Sequence, residues 1–83
     1  MKKILLDARE MEHPIPLQIA LNHLKTMSTE EYLYMIHRKN PIPLLELAKE
    51  KAFSHLSHEE EENQWHILIS KNRQHNLKDF LNV

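Results

Sequence analysis

The side chains of this chain that could carry chemistry are mainly histidines and carboxylates. Seven histidines occur in 83 residues, whereas cysteine and glycine are absent. His55, His58 and His66 lie close to the acidic run Glu59–Glu62. Imidazole and carboxylate ligands suit zinc, nickel or copper. Their spacing matches no specific metal motif, so a divalent transition-metal site is one hypothesis and a solvated, charged turn is the other.

A second group of polar residues surrounds the first proline pair. Asp7 and Arg9 precede His13, which stands immediately before Pro14. A neutral imidazole there could bind a metal or accept a proton, and Arg9 could bind an anion or pair with Asp7. Helix N-termini favour anions, so these residues could bind an anionic ligand. The alternative is that they only stabilise the loop. The predicted ligand-binding residues are Asp7, Arg9, His13 and Lys39.

Composition excludes several classes of chemistry. Without cysteine there is no disulfide, thiolate metal site or cysteine nucleophile, and without glycine there is no glycine-rich phosphate loop. Any left-handed backbone position should therefore favour asparagine. The formal net charge of −1 provides no basic field for nucleic acid or anionic membranes. We expect one cytoplasmic domain that binds no cofactor. The aromatic side chains are expected to lie in the hydrophobic core rather than to stack on nucleic-acid bases.

Hydrophobic periodicity predicts the elements that position these side chains. Apolar runs indicate strands at residues 4–6, 32–36 and 65–69, and a weaker strand at residues 52–58. Trp65, Ile67 and Ile69 should share one face of the last strand. The charged stretch 59–63 is expected to be the turn of a hairpin that joins the last two strands.

Two proline pairs mark the starts of two helices. The segments HPIPL (13–17) and NPIPL (40–44) contain all four prolines. Proline lacks the N–H that the first helical turn leaves unpaired, so both segments suit a helix start. The apolar stripe of the first helix is Leu17, Ala20, Leu21, Leu24 and Met27, and that of the second is Leu44, Leu45, Leu47 and Ala48.

The predicted element order is β-α-β-α-β-β. A βαβ crossover implies a parallel strand pair, and the hairpin adds antiparallel pairing. The expected fold is a two-layer α/β sandwich, with a four-stranded mixed sheet, two helices on one face and the other face open. Residues 1–71 form the domain, and residues 72–83 form an extension. Leu77, Phe80 and Leu81 are spaced for a short helix there, and disorder is the alternative.

The first proline loop resembles the signature of TusA-like sulfur carriers. Leu6-Asp7-Ala8 followed by His13-Pro14-Ile15-Pro16 is similar to their strand-ending Asp and their Cys-Pro-x-Pro motif. His13 stands where those proteins have the sulfur-bearing cysteine. Because imidazole cannot hold a persulfide, the resemblance implies the fold without the sulfur-relay activity.

A wider resemblance, over residues 5–71, is to an uncharacterised bacterial family of TusA-like fold. Its motifs are similar to Leu6-Asp7-Ala8-Arg9, to both proline loops, to Phe53-Ser54 and to Trp65-His66-Ile67-Leu68-Ile69. Lys39-Asn40 stands where members often carry a His-Asp pair. Members occur alone or fused to hemerythrin-like or other small redox domains. The resemblance implies a redox or sulfur-related setting rather than a defined activity.

Three hypotheses about function follow. The favoured one is a small non-catalytic binding or accessory module that engages a protein partner through the proline loops, the open sheet face or the C-terminal tail. The second is a metal- or small-ligand-binding protein that uses His13 or the hairpin histidines. The third is a degenerate enzyme with His13 as general base, although no catalytic set is identifiable. The sheet face or the tail could also form a homodimer.

Overall fold

A computed structural model describes residues 1–82, and Val83 lies outside the described residues. The elements in chain order are β1 (Lys2–Asp7), α1 (Ile15–Thr26), β2 (Glu31–His37), α2 (Ile42–Glu50), β3 (Ser54–Glu61), β4 (Gln64–Ser70) and a 3₁₀ helix (Leu77–Phe80). The order of strands and helices through β4 confirms the predicted β-α-β-α-β-β pattern. Within residues 1–82 no helix is long and apolar enough to span a membrane.

The four strands form one mixed sheet in the order β1-β2-β4-β3. β1 and β2 are parallel, and β4 is antiparallel to both β2 and β3. The two helices pack on one face, which confirms the predicted two-layer α/β sandwich. Because β1 and β2 are parallel, their carboxyl ends at Asp7 and His37 reach the same edge of the sheet. The loops that lead into α1 and α2 start from that edge.

The main core lies between the helices and the sheet. Trp65, Ile67 and Ile69 face the helices together, as predicted. The predicted stripe of α1 is too wide, because Leu21 keeps 36% of its surface exposed. The buried members of this core are Leu6, Ala8, Ala20, Leu24, Met27, Leu33, Met35, Leu44, Ala48, Ile67 and Ile69.

The opposite sheet face is partly covered, which corrects the prediction of an open face. Tyr32, Tyr34 and Leu68 are buried there beneath the segment that follows β4. Leu77 is buried against them, and the rings of Tyr32 and Phe80 lie 5.0 Å apart. Residues of β2 are buried on both faces of the sheet. Their continuous apolar run therefore did not indicate that an additional segment covers the face opposite the helices. The C-terminal segment supplies that cover at the tyrosines.

The β3–β4 hairpin turns more tightly than predicted. β3 continues to Glu61, and the turn consists of Glu62 and Asn63 rather than the whole of residues 59–63. Asn63 has φ = 63°, which confirms that asparagine takes a left-handed position in a chain without glycine.

Helix α2 ends at an alanine in the left-handed conformation. Ala52 has φ = 58°, its N–H donates to the carbonyl of Lys49, and the N–H of Phe53 donates to the carbonyl of Ala48. These two bonds form a Schellman motif, whose left-handed position is usually glycine. The expectation that asparagine would fill such positions is wrong at Ala52, where the two Schellman hydrogen bonds hold an alanine in this conformation.

Candidate functional site

A cleft of about 290 Å³ lies where the two proline loops approach each other, beside the starts of α1 and α2. We call it the proline-loop cleft. Met35 and Leu44, both fully buried, form part of its wall. The nearby carboxyl end of β2 contributes consecutive polar residues to the same wall. The polar residues that line the cleft are Glu12, His13, His37, Arg38, Lys39 and Asn40.

Side-chain hydrogen bonds hold the cleft's two loops in position. Arg38 Nη2 donates to the carbonyl oxygen of Met11 at 3.1 Å and lies 3.5 Å from Glu12 Oε1. Ser57 Oγ donates to Asn40 Oδ1 at 2.6 Å. The first loop is therefore tied to the end of β2, and the second loop is tied to β3.

His37 is a neutral imidazole at the edge of the sheet. Burial lowers the pKa of His37, and the positive charges of Arg38 and Lys39 lower it further. Its Nδ1 accepts a hydrogen bond from the Lys39 backbone N–H at 3.3 Å, so the ring proton lies on Nε2. Sequence reasoning missed His37 and Arg38 as site residues. Their position at the carboxyl end of β2, at the edge where parallel strands end, was the signal that could have identified them.

The structure brings together two of the four predicted ligand-binding residues. His13 and Lys39 line the cleft, and no side chain caps the N-terminus of α1. Asp7 and Arg9 are outside the cleft lining and pair with each other through Nε–Oδ1 (2.9 Å) and Nη2–Oδ2 (2.7 Å) contacts. The Arg9 side-chain hydrogen bonds hold the pKa of Asp7 at about 2. The Arg9 guanidinium is therefore already engaged by a carboxylate.

The three hairpin histidines do not form one cluster. His58 lies opposite His66, whereas His55 lies opposite Ile69, so His55 and His66 are not cross-strand neighbours. His55 Nδ1 lies 3.1 Å from the carbonyl oxygen of Phe53. Within residues 1–82 no group of three or more His, Cys, Asp or Glu side chains is arranged to hold a metal ion. Metal binding at the hairpin stays a prediction.

A buried tyrosine–histidine pair joins the sheet to the C-terminal segment. Tyr34 Oη lies 2.6 Å from His66 Nδ1 and accepts the backbone N–H of Asn82 at 2.9 Å. The tyrosine hydroxyl can therefore donate to Nδ1, which leaves the proton of a neutral His66 on Nε2. Nε2 lies 3.1 Å from Glu60 Oε2 and has no hydrogen-bond partner within residues 1–82. Sequence reasoning missed this network, because it depends on the register of β4 against both β2 and β3.

The fold and the cleft together define a small two-layer α/β protein with a polar cleft at the starts of its helices. The chain belongs to the family described as "Uncharacterized conserved protein (DUF2249)", whose profile matches residues 5–71. No curated protein and no solved structure matches the chain. The matched range includes both proline loops and the whole sheet from Leu5 onward, and it ends before the segment that covers the tyrosines.

Proposed function

We propose that the protein is a small non-catalytic binding or accessory module that engages a protein partner at the proline-loop cleft. The observation that carries the proposal is the composition of the cleft wall. A neutral His37, an exposed His13 and two cationic side chains stand beside the partly exposed apolar side chains of Met11 and Leu17. Such a wall suits a partner segment that presents a carboxylate next to an apolar side chain.

The charges of the cleft support an anionic partner group. Lys39 has no carboxylate within 4.0 Å among residues 1–82. Among residues 1–82, the only carboxylate within 4.0 Å of Arg38 is that of Glu12, at 3.5 Å, and both side chains of that pair are well exposed. An incoming carboxylate could therefore pair with Lys39 and compete for Arg38 at small cost, since exposed ion pairs contribute roughly 0–1 kcal/mol.

The chemistry of the first loop supports an accessory role. His13 occupies the position that a sulfur-bearing cysteine has in TusA-like proteins, and the chain contains no cysteine. Neither a persulfide nor a thiolate intermediate can form on this chain. A setting in redox or sulfur-related metabolism follows from the resemblance to TusA-like proteins, and in that setting the protein would bind a partner rather than transfer sulfur.

Photo-cross-linking in the protein's own host tests this proposal. A photo-reactive amino acid at Glu12, which lines the cleft, should capture a partner of defined mass. The same residue at Glu46, an exposed position of α2 outside the cleft lining, is the control and should capture nothing specific. Adding Lys39→Gln should reduce the yield of the Glu12 product, and adding His13→Ala as well should remove it. A product that persists with Lys39→Gln and His13→Ala combined, or the absence of any product, would contradict the proposal.

A second candidate is a protein that binds a metal or a small ligand through the hairpin. It is favoured by the position of His58 directly opposite His66, with Glu60 3.1 Å from His66 Nε2. Native mass spectrometry of protein isolated from its host, without added metal or chelator, tests it. A bound metal that is lost in His58→Ala and retained in His23→Ala would establish the hairpin as its site. A measured mass equal to that of the protein alone, with no metal or ligand bound, would argue against this candidate.

A further inference from the structure

A second and larger groove lies between α1 and α2, toward the C-terminal ends of both helices. Its volume is about 670 Å³. It lies away from the proline-loop cleft, which is at the helix starts. We call it the lysine groove. The residues that define it are Leu21, Leu47, Phe53, Lys25, Lys51 and Lys71.

We propose that the lysine groove docks an amphipathic helix of a partner protein, whose apolar stripe is flanked by carboxylates. This surface goes beyond the function proposed for the cleft, because the groove lining shares no residue with the cleft lining. The two surfaces can therefore be tested separately.

The charge of the groove selects an acidic partner. Among residues 1–82, no Asp or Glu side chain lines the groove, whereas Lys25, Lys51 and Lys71 do. Within residues 1–82 none of these lysines has a carboxylate within 4.0 Å. Lys71 Nζ donates to the carbonyl oxygen of Met27 at 2.8 Å, which fixes its position and leaves two ammonium protons available. A chain with a net charge of −1 thus concentrates unpaired positive charge around one groove.

The apolar part of the groove explains why the partner must also present a nonpolar face. Leu21 is 36% exposed and is one of four large hydrophobic residues within residues 1–82 that are exposed to this extent or more. Leu47 and Phe53 are only partly buried, and Leu24 beneath them belongs to the core. Apolar side chains inserted between α1 and α2 would remove this surface from water.

The walls of the groove favour a helix over an extended segment. They are the sides of two α-helices, whose interior backbone groups already pair within each helix, so an incoming strand would find few partners for its own backbone. A helix satisfies its backbone internally and presents apolar residues at i, i+3, i+4 and i+7. The three lysines come from α1, from the end of α2 and from the residue after β4. Lysines at three separate positions can each pair with one of several carboxylates along a helix, whereas a fatty acid offers only a single carboxylate.

The test uses the full chain and a fluorescent peptide of about 15 residues, or about four helical turns, with leucines at i, i+3, i+4 and i+7 flanked by glutamates. Fluorescence polarisation should give binding that weakens with salt, and NMR shift changes should cluster at the lysine groove. The combined Lys25→Gln and Lys51→Gln variant should bind about fivefold more weakly, as expected for two exposed ion pairs. Lys2→Gln with Lys78→Gln removes the same charge at exposed positions away from the groove and should change binding less than twofold.

A Leu21→Ser variant separates apolar docking from simple charge attraction. Leu21 is exposed enough for the variant to fold, which a thermal melt checks, and the peptide should bind about tenfold more weakly. The proposal would be overturned if both pairs of lysine substitutions weakened peptide binding equally, or if the NMR shift changes lay outside the lysine groove. Displacement of the peptide by equimolar decanoate would also overturn it. Sedimentation of the free protein as a dimer that Leu21→Ser dissociates would assign the groove to a second copy instead.

Discussion

Replacing Tyr34 with phenylalanine isolates the contribution of the network beneath the C-terminal segment. The substitution keeps the ring, which is 1% exposed and packs on the buried face beside Leu68. It removes the hydroxyl that contacts His66 Nδ1 at 2.6 Å and accepts the N–H of Asn82 at 2.9 Å. His66 is 5% exposed, so water cannot readily replace the lost partner at Nδ1.

The expected loss follows from these two contacts. Each hydrogen bond contributes a net of about 1 kcal/mol, and leaving a buried acceptor without a partner costs about 1–3 kcal/mol. The free energy of unfolding should therefore fall by about 2–3 kcal/mol. A loss of 2 kcal/mol corresponds to a midpoint about 2 M lower in urea, or a melting temperature about 8–16 °C lower, for a domain of this size.

Urea unfolding followed by tryptophan fluorescence measures this loss, and Tyr32→Phe is the matched control. Tyr32 lies two residues away on the same strand, is 4% exposed and makes no hydroxyl hydrogen bond within residues 1–82. Its variant should stay within about 0.5 kcal/mol of the parent. Tyr34→Phe combined with His66→Leu should recover part of the loss, because no unsatisfied acceptor remains. Equal effects of Tyr34→Phe and Tyr32→Phe would refute the reasoning.

Three further expectations concern titration and backbone conformation. Burial raises the pKa of Tyr34, so the associated stability is present below the ordinary tyrosine pKa of about 10 and is lost as pH rises above it; ultraviolet titration should show later tyrosine ionisation in the native protein than in urea. In Arg9→Gln, NMR titration should move the pKa of Asp7 from about 2 toward 3.8, and the pair's small stabilisation should be present above pH 3.8 and vanish as pH falls through 2. Ala52→Gly should raise the free energy of unfolding by about 0.5–1 kcal/mol, since φ = 58° suits glycine. Ala48→Gly, at a buried position of α2, should instead lower the free energy of unfolding by about 1 kcal/mol or more. A Tyr34 that ionises as in urea, an Asp7 unmoved by Arg9→Gln, or an Ala52→Gly that destabilises would each contradict the corresponding argument.

The predicted part of the candidate site follows from local rules. Proline pairs start helices, and the carboxyl ends of parallel strands share an edge, so His13 and Lys39 were expected near each other and both line the cleft. Asp7 and Arg9 were assigned to the same ligand site from proximity in sequence. Their short separation instead lets the two side chains pair with each other at 2.7 Å.

The local sequence pattern determined the order of strands and helices, because each element can be recognised from the spacing of apolar residues within it. Trp65, Ile67 and Ile69 share a face for that reason alone. Tertiary structure decided which distant side chains meet. A shift of two residues in β4 would keep the alternation of its faces but change which side chain lies beside Tyr34, and the pattern within β4 does not distinguish these registers. The cover over the tyrosines and the gathering of three lysines around one groove likewise depend on how distant elements pack, which the residues within a single element do not encode.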